Sequence, residues 1–72
     1  MLNNSPVWNQ IQGNWKQLSG NVKQRWGLLT DDDLAQVNGS REQLAGKLQQ
    51  RYGVSQAEAN QQIDAWANQL KF

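Results

Sequence analysis

The chain contains one fifteen-residue segment twice, and this repeat constrains its fold more than any other feature. Residues 13–27 are GNWKQLSGNVKQRWG and residues 39–53 are GSREQLAGKLQQRYG, so at an offset of 26 residues seven of the fifteen positions are identical. A self-match at a fixed offset is typical of two related structural units that pack on each other. The repeat therefore predicts one domain over residues 1–72, with repeat units at about 13–37 and 39–70.

Apolar residues recur every three or four positions, which is the period of one face of an α-helix. In the first half these residues are Trp8, Ile11, Trp15, Leu18, Val22, Trp26 and Leu29. In the second half they are Leu44, Leu48 and Tyr52, followed by Ala59, Ile63, Trp66 and Leu70. No segment has the alternation of a strand. The pattern predicts an all-α compact bundle of four to five helices, built as two packed helical hairpins with an internal pseudo-twofold repeat.

The first apolar stripe is compatible with either one helix or two. Ser5 and Pro6 are suited to the N-cap and the first position of a helix, and the stripe could then continue unbroken from Pro6 to Trp26. Alternatively, Gly13 and Asn14 break it, with Asn14 as a new N-cap. The repeat favours the break, because Ser40 is suited to capping at the corresponding position of the second unit.

The remaining helix ends are marked by glycines and by Ser or Thr caps. Gly27 and Gly53 are each placed to end a helix in the left-handed conformation, with Leu28 folding back towards Val22. Three capping boxes are predicted, at Thr30 with Asp33, Ser40 with Gln43, and Ser55 with Glu58. The run 31–33 of three aspartates thus favours helix capping over a Mg²⁺ or Ca²⁺ site, since the glycine and the downstream glutamate of a calcium loop are missing.

Composition argues against an enzyme. The 72 residues include neither Cys nor His, which removes the thiolate nucleophile, the commonest general base and the commonest metal ligands. We therefore expect no catalytic residue, no cofactor and no metal site. The N-terminus lacks a basic region followed by an apolar one, and no apolar run is long enough for a membrane span. The expected location is the cytoplasm, with no membrane partner.

Two groups of residues are candidates for an interaction surface. A helical projection places a repeated polar face opposite each apolar stripe, and this face is a candidate for close approach of another backbone, either the sister helix or a second protomer. Its members are Gln17, Gly20, Gln24, Gln43, Gly46 and Gln50. The second group consists of basic residues that could follow a phosphate backbone, although the net charge is only +1. Its members are Lys16, Lys23, Arg25, Lys47 and Arg51.

Four strings of the sequence resemble the CsbD-like family of small bacterial proteins. They are GNWKQLSGNVKQRWG, LLTDDDL, NGSREQLAGKLQQRYGVS and EANQQIDAW, and the resemblance extends from about Trp8 to Trp66. It implies an all-α bundle and an association with the general stress response, but no catalytic or binding residue. Many relatives have Lys and Glu where this chain has amides, at Asn21, Gln49, Gln56, Gln61 and Gln62.

Three functions remain open at this point. The first is a non-enzymatic stress-response protein that acts by interaction or as a hydrophilic protectant. The second is a nucleic-acid-binding module that uses the five basic residues. The third is an adaptor that forms a homodimer through the repeated Gln and Gly positions. The partner is unknown, and the expected state is a monomer or a weak homodimer.

Overall fold

A computed structural model describes residues 6–70, and these form five α-helices without a strand. The helices are α1 (Pro6–Gly13), α2 (Trp15–Arg25), α3 (Asp31–Val37), α4 (Arg41–Tyr52) and α5 (Gln56–Gln69). Together they make a compact globule of 29 × 24 × 18 Å. The all-α prediction and the number of helices are confirmed, whereas the two hairpins and their pseudo-twofold relation remain a prediction. The predicted N-cap Ser5 lies outside the described residues.

Most of the predicted apolar positions lie in the core. Fifteen residues are buried in one cluster, with Leu18, Val54 and Leu70 partly buried against it. Three tryptophans form its centre, since the ring centroid of Trp66 lies 6.5 Å from that of Trp8 and 5.7 Å from that of Trp26, in edge-to-face arrangements. Aromatic rings favour this geometry, and each buries a large apolar area. A core of this kind supports a chain whose mean hydropathy is only −0.85.

Asn14 separates α1 from α2, which confirms the predicted break. Its predicted role as a side-chain N-cap of α2 is wrong, because the side chain makes no cap hydrogen bond there. Instead, Asn14 Nδ2 donates to the carbonyl oxygen of Gln10 at 2.9 Å. The Gln10 carbonyl also accepts from the Asn14 backbone N–H at 3.0 Å, so the side-chain amide is a second donor to it at the end of α1.

The other predicted caps are largely confirmed. Thr30 and Asp33 form a complete capping box at the start of α3. Only half of the predicted box is formed at the starts of α4 and α5, where the hydroxyl oxygens of Ser40 and Ser55 each accept a hydrogen bond from the backbone N–H three residues on. Gly53 ends α4 with a left-handed φ of 67°. These local bonds determine where α3, α4 and α5 begin and where α4 ends.

The segment after α2 differs from its prediction. Gly27 has no left-handed φ, since the only glycines with positive φ among residues 6–70 are Gly39 and Gly53. Leu28 does not fold back but is 57% exposed, and Tyr52, predicted to face inward, is 38% exposed. The two meet at the surface, where the backbone N–H of Leu28 donates to the Tyr52 hydroxyl at 3.0 Å. This bond supplies a partner for the phenol at the edge of the core, which explains why the ring is not fully buried.

Candidate interaction surface

The six repeated Gln and Gly positions of α2 and α4 are all exposed. A Cβ atom added at Gly20 or at Gly46 would meet nothing within 4 Å. The sister helix therefore does not approach either glycine, and that half of the hypothesis is wrong. Contact with a second protomer stays a prediction, because both glycines face open space. We refer to Gln17, Gly20, Gln24, Gln43, Gly46 and Gln50 as the amide–glycine face.

The open space around both glycines predicts that alanine is stabilising there. Gly20→Ala and Gly46→Ala should each raise the free energy of unfolding by about 0.5–1 kcal/mol, since glycine in a helix interior costs that much relative to alanine. Urea unfolding followed by circular dichroism measures the change. Sedimentation of the same variants reports on association: if the face joins two protomers, the double variant should associate less than the wild type although its fold is more stable. A loss of monomer stability would contradict the open placement.

The five basic residues do not form one free positive surface. Lys23 Nζ lies 2.9 Å from Asp31 Oδ1, and Lys47 Nζ lies 3.4 Å from Asp33 Oδ1. Arg51 is paired with the same Asp33. The guanidinium of Arg25 lies over the Trp26 ring, 5.4 Å from its centroid, and Lys16 is exposed. Three of the five cations are thus ion-paired within the chain, which weakens their attraction for a phosphate backbone.

Asp33 is a buried carboxylate at the centre of a polar cluster between α3 and α4. Its side chain is 3% exposed and accepts hydrogen bonds from Arg51 Nε at 2.9 Å and Arg51 Nη2 at 3.0 Å, and from the Thr30 backbone at 3.0 Å. The Arg51 hydrogen bonds, and after them the Thr30 N–H, hold the pKa of Asp33 well below its usual range. The same pairing raises the pKa of Arg51. Asp33 therefore caps α3 and also fastens it to α4.

Arg41 has a structural role that the sequence reasoning missed. Arg41 Nη2 lies 2.7 Å from Asp64 Oδ1 and donates to the Asn60 carbonyl oxygen at 3.4 Å, and its guanidinium lies 5.8 Å from the centroid of the Trp8 ring. The arginine thereby links α4 to both α5 and α1. A signal was present in the sequence, because a cation in the first turn of a helix opposes the helix dipole and needs a partner elsewhere.

Two amides singled out as differences from relatives also have partners in the fold. Trp26 Nε1 donates to Gln62 Oε1 at 2.9 Å, and Trp66 Nε1 donates to Asn21 Oδ1 at 2.8 Å. Each bond joins the α2 region to α5, so the two amides satisfy indole donors of the core. Gln62 and Asn21 consequently contribute to folding as well as to surface polarity.

The described surface contains shallow depressions. One of them has a volume of about 430 Å³ and lies beside Trp15, Leu34 and Asn38. Among residues 6–70, no group of three or more acidic side chains is arranged to hold a metal ion. The predicted interaction residues lie at exposed positions of α2 and α4.

Comparison with known proteins decides the family. The sequence profile named CsbD-like matches residues 9–61, which is most of the chain. The chain belongs to the CsbD-like family. A UPF0337 protein of Rhodopseudomonas palustris is 53% identical to this CsbD-like chain over 64 residues, covering 89% of the chain and 97% of that protein. UPF0337 proteins of Mesorhizobium japonicum and Rhizobium meliloti are 56% and 58% identical over 61 and 59 residues, covering 85% and 82% of the chain and 91% and 86% of those proteins.

The CsbD-like relatives establish kinship over nearly the whole chain, but their names state no activity. No solved structure matches the sequence significantly. Among residues 6–70, none of the five helices has the length and apolar character that a membrane span requires.

Proposed function

We propose that this CsbD-like chain is a non-enzymatic bacterial stress-response protein that acts through its amide-rich outer surface as a hydrophilic protectant of other macromolecules. The observation that carries the proposal is the distribution of polar groups. Buried or half-buried cations and carboxylates are paired with each other, as at Asp33 and Arg41, whereas most Asn and Gln side chains face solvent. The surface thus offers water many neutral hydrogen-bonding groups and few unpaired charges.

A surface of this kind is suited to a protein that acts at high concentration and without binding a specific partner. Polar solutes and folded proteins that do not adhere to a second protein, the client, favour the compact state of that client by excluded volume. The gain in the client's folding stability is only about 0.2–1 kcal/mol. So small an effect requires a high concentration of protectant. Protection should therefore grow steadily with the amount of protein and should not level off at a one-to-one ratio with the client.

The proposal is tested by drying a labile dehydrogenase with increasing amounts of the chain and measuring the activity that returns on rehydration. We expect graded protection without a stable complex in sedimentation. The matched variant replaces Gln17, Gln24, Gln43 and Gln50 by alanine; alanine is a better helix former, so the fold is retained while the amides are removed. Alanine makes the exposed surface more apolar, and a surface that adheres to the client cancels the excluded-volume effect, so this variant should protect less than half as well at equal mass. Equal protection by the variant, or none by the wild type, would refute the proposal.

Nucleic-acid binding is the alternative, and the same material tests it. If the basic residues bind a phosphate backbone, a DNA fragment should be retained at low salt and released steeply as salt rises. We expect no such binding, because Lys23, Lys47 and Arg51 are ion-paired within the chain. The cytoplasmic location and the monomer or weak homodimer stay predictions, as do the repeat units at about 13–37 and 39–70.

A further inference from the structure

The turn between α3 and α4 contains the only Asn-Gly pair of the sequence, Asn38-Gly39. Asn38 is exposed and lines two surface depressions, whereas Gly39 is buried. In an Asn-Gly pair no side chain on the second residue obstructs attack of its backbone nitrogen on the asparagine side chain. We propose that Asn38 is a deamidation site that is protected while the turn is folded and reacts when the turn opens.

The reaction needs water and no other co-reactant. The backbone nitrogen of Gly39 attacks Asn38 Cγ and loses its proton as a new C–N bond closes a five-membered succinimide. The Cγ–Nδ2 bond breaks, and Nδ2 leaves as ammonia. Water then adds to one of the two imide carbonyls and opens the ring, giving aspartate or isoaspartate at position 38. Asparagine and water have become an acidic residue and ammonia, with no change of oxidation state.

The folded turn holds the two reacting atoms apart. Asn38 is the left-handed C-cap of α3, with φ 46° and ψ 43°. At this ψ the Gly39 nitrogen lies nearly opposite to Cβ across the Cα–C bond, whereas ring closure needs it on the same side. Two hydrogen bonds resist rotation about the Cα–C bond of Asn38. The Asn38 N–H donates to the Leu34 carbonyl oxygen at 3.1 Å, and the Ser40 N–H donates to the Val37 carbonyl oxygen at 2.8 Å. Attack therefore requires these bonds to open.

The tight packing of Gly39 makes the modification difficult to accommodate afterwards. A Cβ added at Gly39 would lie 3.0 Å from both Cα and Cγ of Gln12, and Gly39 has φ 81°. Isoaspartate lengthens the main chain by one carbon immediately before this glycine, so the turn cannot return to the same contact. The aspartate product places a negative charge at the C-terminal end of α3, where the helix dipole disfavours it. One opening event can thus leave a permanent change between α3 and α4.

The test is to incubate the full chain at mildly alkaline pH, without urea and at increasing urea concentrations, and to measure isoaspartate at residue 38 by peptide mapping. A peptide of residues 34–43 supplies the rate of the unstructured site. We expect the folded chain to react at least about tenfold more slowly than the peptide, because an opening that costs about 1.4 kcal/mol already lowers the rate about tenfold. In fully denaturing urea the chain and the peptide should react alike.

Asn38→Gln is the control, since glutamine would have to close a larger ring and should remove the signal at this position. Reaction of the folded chain at the peptide rate would overturn the proposal. So would isoaspartate forming first at another asparagine, or a denatured chain that does not react at Asn38.

Discussion

Replacing Trp66 by alanine is expected to unfold most of the chain at room temperature. Trp66 is 2% exposed, contacts Trp8 and Trp26 edge to face, and donates its indole N–H to Asn21. Truncating a buried tryptophan costs about 3–5 kcal/mol, because it removes apolar burial and leaves a cavity. A single hydrophobic core in a domain of this length rarely supplies more than about 3–5 kcal/mol of stability. The loss is therefore a large share of the total, and the helical signal in circular dichroism should fall strongly.

Trp66→Phe is the matched control. Phenylalanine retains an aromatic ring for Trp8 and Trp26 but lacks the indole donor, and the exposed Asn21 amide can then bind water instead. We expect this variant to remain folded at a lower urea midpoint. If alanine and phenylalanine lowered the urea midpoint by the same small amount, the aromatic cluster would not be the main source of stability.

The contrast between this cluster and the polar contacts shows what could be predicted from the sequence. Apolar spacing identified Trp8, Trp26 and Trp66 as core residues, because a helix that packs on one side repeats its buried positions every three or four residues. The caps at Thr30 and Ser55 could also be predicted, since their hydrogen bonds reach only three residues along the chain. Both signals are local, and both were confirmed.

The long-range polar contacts could not be predicted in the same way. Arg51 and Asp33 are 18 residues apart, and Trp66 and Asn21 are 45 residues apart, so their pairing depends on how the helices pack. A polar residue type does not reveal whether its partner is water or a buried group. For that reason the sequence predicts a possible nucleic-acid contact for Lys47 and Arg51, whereas in the structure both pair with Asp33. Conversely, the helical projection of the sequence correctly predicts that the residues of the amide–glycine face are exposed. The function of that face depends on a partner, which the sequence does not identify.

Asp33→Asn is expected to lower the urea midpoint more than any substitution of an exposed carboxylate in the chain. The amide keeps the size of the side chain and can still accept a bond from Thr30. It removes the negative charge that lies between Arg51 and Lys47, and it can offer Arg51 only one oxygen instead of two. Loss of a bidentate, charge-assisted pair weakens the attachment of α3 to α4. Asp31→Asn is the matched control, because the Asp31 side chain is 85% exposed and its partner Lys23 is 48% exposed; exposed pairs of this kind contribute little.

The pH dependence of stability shows whether Asp33 stabilises the fold through its charge or through the packing of its side chain. Because the folded state holds the pKa of Asp33 below its usual range, the unfolded chain binds the proton more readily. The stabilisation is therefore fully present above the unfolded pKa of about 3.9 and is lost as the pH falls through the lower, folded pKa. The difference in urea midpoint between wild type and Asp33→Asn should be constant from pH 7 to about pH 5 and should shrink below about pH 4. A difference that persists unchanged into strong acid would assign the effect to packing of the side chain and not to its charge.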